Sequence, residues 1–132
     1  MGTSIYIATN KQAAFPNDDH YKTIRVGTNA SDDIFTAFND AEGISIADKN
    51  PYYCELTALY WLWKNGVLDE YVGLCHYRRF FFLQGYPRGL ARKMARSILS
   101  VQSGLDVSAV PSMLRGADII LPVAGTCLSS ME

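Results

Sequence analysis

Apolar residues fall in short runs separated by polar, turn-forming stretches. SIYIAT (4–9) is a short β-rich run ending in polar residues, and TIRVG (23–27) is a weaker one closed by glycine. Both read as strands. Between them NKQAAFPNDDHY carries a Pro-Asn turn. After them TNASDDIFTAFNDAEG is polar enough to read mostly as loop, despite Ile34, Phe35 and Phe38. No internal repeat or low-complexity segment interrupts this order.

The clearest helix begins in KNPYYCELTALYWLWKNG (49–66). Asn50 stands where an N-cap belongs and Pro51 at the first helical position, where a missing N–H costs nothing. Lys64 in the last turn and Gly66 beyond it supply the stop. Tyr52, Leu56, Leu59, Tyr60 and Trp63 share one face, and Cys54, Ala58, Trp61 and Leu62 make much of the remainder apolar. Such a helix is expected to be covered on both sides.

EYVGLC (70–75) is a near-continuous apolar run, which suits a central strand of a parallel sheet better than an edge. PRGLARKMARSILSVQ (87–102) places Leu90, Met94, Ile98 and Val101 at helical spacing, with Arg92, Lys93 and Arg96 away from them. VPSMLRGADIILP (110–122) reads as a short helix, a Gly116 stop and a strand, DIILP. Strand, helix and strand in this order predict an α/β fold: a mostly parallel, Rossmann-like sheet flanked by helices and joined by right-handed crossovers.

Composition narrows the class. The 132 residues, 48% of them apolar, suit one ordered domain. No run approaches the ~18 apolar residues of a membrane span, and MGTSIYIATN lacks the basic-then-apolar start of a secretory signal, so a cytoplasmic protein is expected. Cys54, Cys75 and Cys127 are odd in number and far apart, without a CxxC pair, which argues against a disulfide framework or a structural zinc. They read as buried or half-buried thiols.

The net charge of -1 conceals a division. Residues 1–75 hold five Lys/Arg against ten Asp/Glu, and residues 76–132 hold seven against three. The sign changes at His76, where the apolar strand runs straight into His76-Tyr77-Arg78-Arg79. Ligands of open α/β sheets bind outside the carboxyl ends of the strands. Arginine offers a planar fork for phosphate oxygens, and histidine exchanges a proton near neutral pH. His76, Arg78 and Arg79 are therefore candidates to hold a diphosphate. In isolation, the same motif reads as a solvated arginine pair beside a hydrogen-bonded structural histidine.

Three stretches taken together carry more: IYIAT near the start, ISIADKNPYYCELTALYWLWKN in the middle and YVGLCHYRRFF after it. In that order they resemble the bacterial capsular and exopolysaccharide biosynthesis family long labelled as a domain of unknown function. That family is similar to GT-A glycosyltransferases, which move a sugar from a nucleotide-sugar to an acceptor. The resemblance runs from about Ile5 to Pro122. It implies a nucleotide-sugar donor and a saccharide or lipid-linked saccharide acceptor.

Two departures follow. Members of the family continue beyond the strand that ADIILP resembles, whereas VAGTCLSSME (123–132) lacks the family look. The chain is expected to be the donor-binding N-terminal part of a longer enzyme or a natural truncation. GT-A enzymes also commonly hold a metal on an Asp-x-Asp motif after a central strand, where this sequence has His76-Tyr77-Arg78. Cationic donors can stabilise the charge of a departing diphosphate in a metal's place. Transfer without metal or other cofactor is therefore expected. Asp18-Asp19 and Asp32-Asp33 are the competing carboxylate pairs, more simply read as solvated turn residues.

The resemblance also suggests that Thr9 and Asn10, after the first strand, contact the nucleotide, unless they merely close a turn. Lys49 can reach a phosphate or remain a surface lysine, and Asn50 and Glu55 orient the site. Glu55, as the acid within a helix expected to be covered, calls for a buried partner, Arg78 or Arg79. No residue is assigned as catalytic. The face carrying Arg88, Arg92, Lys93 and Arg96 suits anionic lipid at the inner face of the membrane, or simply water. Nucleic acid is not expected, because no zinc motif, aromatic–basic strand pattern or overall basic charge supports it. A non-enzymatic reading stands alongside: a truncated relative serving as a nucleotide-binding or interaction module.

Overall fold

The structure, a computed structural model, describes residues 2–16, 18–29, 35–78, 108 and 110–119. Within them β1 (Thr3–Thr9), β2 (Tyr21–Arg25), β3 (Phe38–Asn39) and β4 (Tyr71–His76) form one sheet in the order β3-β2-β1-β4. Every pair is parallel, with Ile5 opposite both Tyr21 and Gly73. The α/β expectation therefore holds, in an all-parallel form. Parallel neighbours cannot be joined by tight hairpins, so each strand returns by a crossover.

β1 is buried from Ser4 to Thr9, as strands covered on both faces are. Its alternation divides the core. Tyr6 and Ala8 pack on one face with Ile24, Val26, Ala58, Trp61 and Leu62. Ile5 and Ile7 pack on the other with Cys75, against Phe15, Tyr21, Tyr77, Val110 and Met113. The first face is covered by helix α2 (Leu56–Lys64), and the second receives helix α3 (Val110–Leu114). Polar ends within the core are satisfied: the Tyr6 hydroxyl donates to the Val67 carbonyl at 2.7 Å, and the Trp61 indole N–H donates to the Glu42 carbonyl.

Three expectations change. The loop after β2 contains β3, a two-residue strand too short to show periodicity. The run at 70–75 is the outer strand of the sheet among the described residues, with only Cys75 buried, whereas β1 is central. Its apolar run reflects partial cover on each face rather than a central place. The aromatic helix is not continuous. A 3-10 turn (Ala47–Lys49) leads into α1 (Asn50–Tyr53), and the chain breaks at Cys54 before α2 begins at Leu56. Asn50 is thus the first residue of α1 rather than its cap, and Pro51 keeps its place in the first turn.

The stop is the expected one. Val67 N–H bonds the Leu62 carbonyl and Gly66 N–H the Trp63 carbonyl, the paired bonds of a Schellman turn. Gly66 supplies the left-handed residue that this turn requires, at φ 69°. Only one face of the helix is buried, through Thr57, Ala58, Trp61 and Leu62. Tyr52 is 85% exposed and Trp63 60% exposed, contrary to the expectation of cover on both sides. The sheet is a single layer, so a helix lying on it has one face turned away.

Cys54 is exposed and Cys75 buried, so the expectation of covered thiols fails for Cys54. Cys127, the basic stripe at 87–102 and the tail at 123–132 lie outside the described residues, as does most of the expected strand at 118–122. Among the described residues no helix is long and apolar enough to cross a membrane.

Two measurements check this packing. Leu62→Ala should cost about 2–5 kcal/mol in chemical denaturation, and Trp63→Ala less than about 1 kcal/mol; the reverse ranking would mean that the other helix face is the covered one. Burial pushes the Cys75 thiol up to about 12, so an alkylating reagent should label Cys54 well before Cys75 in the folded protein. Equal labelling rates would contradict the assigned burial.

Candidate functional site

Because the strands are parallel, β1, β2 and β4 end at one edge. Thr9 pairs with Arg25 and Ala8 with His76, and the ladder extends one step through Val26 N–H to the Thr9 carbonyl and Tyr77 N–H to the Ala8 carbonyl. β2 and β4 flank β1, so their ends stand about 10 Å apart, two strand spacings. The two ends carry different chemistry.

At the β1–β2 end lies a recess lined by Asn10, Val26, Gly27, Thr28, Asn29, Asn50 and Pro51. Its polar side chains are neutral amides and a hydroxyl. Gly27 stands at φ 80°, and a Cβ there would come within 2.9 Å of Asn50 Oδ1, so only glycine lets the loop and the helix start approach this closely. Thr9 is buried beside the recess, but its hydroxyl donates to the Lys11 carbonyl and accepts Lys11 N–H at 3.2 Å. It closes the turn that presents Asn10. Lys49 is exposed, at the end of the 3-10 turn.

Behind the recess sits Asp40, fully buried. Its Oδ1 accepts Gly27 N–H at 2.9 Å and its Oδ2 accepts the Thr57 hydroxyl at 2.6 Å. Burial pushes this carboxyl above the ordinary aspartate value, against the pull of the hydrogen bonds from Thr57 and Gly27. Thr57 Oγ1 also accepts from Asn50 Nδ2 at 3.1 Å, and the same nitrogen donates to the Cys54 carbonyl at 2.8 Å. That carbonyl is turned there by Cys54 itself, at φ 49° and ψ -130°. Such a backbone costs a non-glycine residue about 1–3 kcal/mol.

At the β4 end, His76 is the last strand residue and Arg78 follows on the exposed turn. The Arg78 backbone N–H donates to His76 Nδ1 at 3.1 Å. A backbone N–H can only donate, so in the neutral ring the proton sits on Nε2, which lies 3.5 Å from Glu55 Oε1. The Arg78 guanidinium lies 5.3 Å from the Tyr77 ring centroid, and the Tyr77 ring rests 4.3 Å from that of His76.

Glu55 therefore differs from expectation in partner and in burial. It faces His76 rather than an arginine, and its side chain is 37% exposed. The helix break turns it toward the strand end and leaves one flank in water. Arg79 lies outside the described residues, as does Asp32-Asp33. Asp18 and Asp19 occupy an exposed turn, in which Asp18 Oδ1 accepts His20 N–H at 2.8 Å. Among the described residues no three His, Cys, Asp or Glu side chains converge to hold a metal.

The edge thus brings together Asn10, Asn50, Glu55, His76 and Arg78 of the expected set, with Thr9 behind the surface. Gly27, Thr28, Asn29, Asp40 and Thr57 were not anticipated. The glycine closing TIRVG was a signal for the first three. Nothing in the order of residues joins Asp40 to Thr57.

The family described as Domain of unknown function (DUF4422) matches residues 4–131. A solved structure, the "WbbM bifunctional glycosytransferase apo structure", superposes with a TM-score of 0.60 at 39% identity, over 68% of this chain and 16% of that one. The chain thus spans about a sixth of the protein that it matches. No curated protein matches it.

Asp40→Ala would leave the buried Gly27 N–H without its acceptor and the Thr57 hydroxyl with only the Cys54 carbonyl, at 3.1 Å, and should cost about 1–3 kcal/mol. Glu55→Ala, at a half-exposed pair, should cost no more than about 1 kcal/mol. Denaturation curves showing Glu55 as the costlier loss would reverse this assignment. The pH dependence has a definite sign. A folded carboxyl above its unfolded value favours folding most below the ordinary aspartate pKa of about 3.9, and that contribution is lost as pH rises through the folded value. Wild type should therefore lose stability relative to Asp40→Asn as pH rises from about the ordinary aspartate value through the raised folded one; a difference flat in pH would contradict the raised value.

Proposed function

The chain belongs to the family described as Domain of unknown function (DUF4422), and from that membership and the strand-end geometry we propose that it is the donor-binding part of a glycosyltransferase. In this reading it binds a nucleotide-sugar whose sugar passes to a saccharide or lipid-linked saccharide acceptor, in assembly of a bacterial capsule or exopolysaccharide.

The carrying observation is the division of the carboxyl edge. Neutral amides and a close glycine form a recess at β1–β2, and His76 and Arg78 stand at the end of β4. A nucleoside diphosphate has the same division: a neutral, hydrogen-bonding nucleoside and a dianionic tail. The nucleoside takes the recess, beside Asn10 and Asn50. The diphosphate lies across the end of β1 toward His76 and Arg78, with Arg79 and Lys49 as further cations. The likeness to a solved glycosyltransferase at 39% identity supports the class of reaction.

Cleavage of the sugar–phosphate bond builds negative charge on the leaving diphosphate, and preorganised cationic donors stabilise it as it forms. Arg78 packs against the Tyr77 ring, which holds the guanidinium near the strand end. His76 donates through Nε2 only when it turns from Glu55 or exchanges that contact for phosphate. Glu55 thus orients His76. The transfer proceeds without a metal in this reading, and the basic face carrying Arg88, Arg92, Lys93 and Arg96 meets anionic lipid near a membrane-borne acceptor.

Thermal-shift measurements with UDP- and GDP-sugars test the proposal. One of them should raise the melting temperature, with the shift surviving EDTA. Arg78→Ala, on an exposed turn, should leave the unliganded melting temperature nearly unchanged and weaken donor binding about tenfold or more, the equivalent of one charge-assisted hydrogen bond of roughly 1.5–3 kcal/mol. A shift that vanishes with chelator and returns with manganese would overturn the metal-free version. Undiminished binding by Arg78→Ala would remove the diphosphate from the end of β4.

A further inference from the structure

The recess wall contains a hydrogen-bond chain with one direction. Asn50 Nδ2 faces the Cys54 carbonyl at 2.8 Å, and a carbonyl only accepts, so the atom turned toward it must be the amide nitrogen. The same nitrogen donates to Thr57 Oγ1 at 3.1 Å. The Thr57 hydroxyl donates to Asp40 Oδ2 at 2.6 Å, closer than its other acceptor, the Cys54 carbonyl at 3.1 Å, and Asp40 is anchored by Gly27 N–H on its other oxygen. Both members behind Asn50 are fully buried. With the nitrogen committed twice, a flip of the Asn50 amide would set its oxygen against the Cys54 carbonyl oxygen and take the donor from the buried Thr57 Oγ1. Its Oδ1 is thereby left on the recess side, opposite Gly27, where the missing side chain keeps the approach open.

We infer that Asp40 and Thr57 are positioning residues which lock the Asn50 amide with its oxygen toward the recess, so that the recess selects a nucleoside by accepting a hydrogen bond from it. This rests on the donor-binding reading above. The selecting chemistry is an N–H or O–H donor of the nucleoside: a ring N–H of uracil or guanine, or a ribose hydroxyl. A fixed acceptor rejects a ligand lacking the donor because the desolvated oxygen is then left unpaired. The cations at β4 cannot make that distinction, since they meet only the diphosphate. The strained backbone at Cys54 has a place here, because it aims the carbonyl that holds the amide.

Calorimetric titration of the full chain tests this with UDP and GDP, their 2′-deoxy forms, and the ring N-methylated forms that lack the base N–H. Wild type should prefer the parent ligand over one of the two altered forms by about tenfold, the size of one neutral hydrogen bond to a buried group. The form that is penalised identifies ribose or base as the source. Thr57→Val and Asn50→Ala should bring that ratio close to one, whereas Thr57→Ser, which keeps the hydroxyl, should retain it. The ratio is read within each variant, so a uniform loss of stability or affinity leaves it untouched. If Thr57→Val does not fold, Asn50→Ala against Thr57→Ser decides alone. A wild type that binds the parents without discriminating, or a Thr57→Val variant that keeps the full ratio, overturns the inference while the donor-binding reading stands. A wild type that binds neither UDP nor GDP overturns both.

Discussion

β1 has no free edge and no free face. It pairs in parallel with β2 on one side and β4 on the other, and six consecutive residues are buried. A strand in that position cannot be stable alone. Each buried Ile or Tyr side chain contributes on the order of 1.5–3 kcal/mol only once helices cover both sides. The alternation of Ile5 and Ile7 against Tyr6 and Ala8 assigns one set to α3 and the other to α2. Parallel pairing then forces the ends of β1, β2 and β4 onto one edge, and the loops that follow them meet there. The candidate site is a consequence of how the core is closed.

What the edge adds is polarity in a place where water is scarce. Asp40 is a carboxylate in the core, and a buried charge is tolerated only with its hydrogen bonds made. Gly27 N–H and Thr57 Oγ1 make them, and in doing so fasten the loop after β2 to the start of α2. The break between α1 and α2 belongs to the same construction. A continuous helix would carry Cys54 in ordinary helical geometry, with its carbonyl directed along the axis. The left-handed φ turns that carbonyl onto Asn50 and turns Glu55 toward His76. Local strain is thus offset by hydrogen bonds on both sides of the break.

The two ends of the edge are held differently. The recess at β1–β2 is tied by buried hydrogen bonds to the core. The groups at the end of β4 are held by half-exposed contacts that include the His76–Glu55 pair and the Tyr77 ring beside His76 and Arg78. This suits the donor-binding reading proposed above. A neutral hydrogen-bonding group is recognised by fixed direction, whereas a diphosphate is attracted over several ångströms by charge and tolerates side chains that adjust.

The amino-acid order by itself determined β1, β2, β4 and the helix stop, because these depend on neighbours within a few residues. SIYIAT had β propensity and polar ends, EYVGLC an apolar run, and Lys64-Asn65-Gly66 the residues of a left-handed stop. It also placed His76 and Arg78 at the carboxyl end of a parallel strand, the edge at which ligands of such sheets bind. Other features depend on distance in space. β3 is two residues long and exists only because Phe38 and Asn39 lie beside β2. Which face of α2 is buried was undecided by a sequence apolar all round, and was settled by a sheet that offers only one surface. Glu55 took His76 as partner because the helix broke one residue before it. Asp40 and Thr57, 17 residues apart, meet only because the crossover after β3 carries the start of α2 back over the sheet. Short-range preferences write the elements; burial and the pairing of polar groups across the chain decide what those elements hold between them.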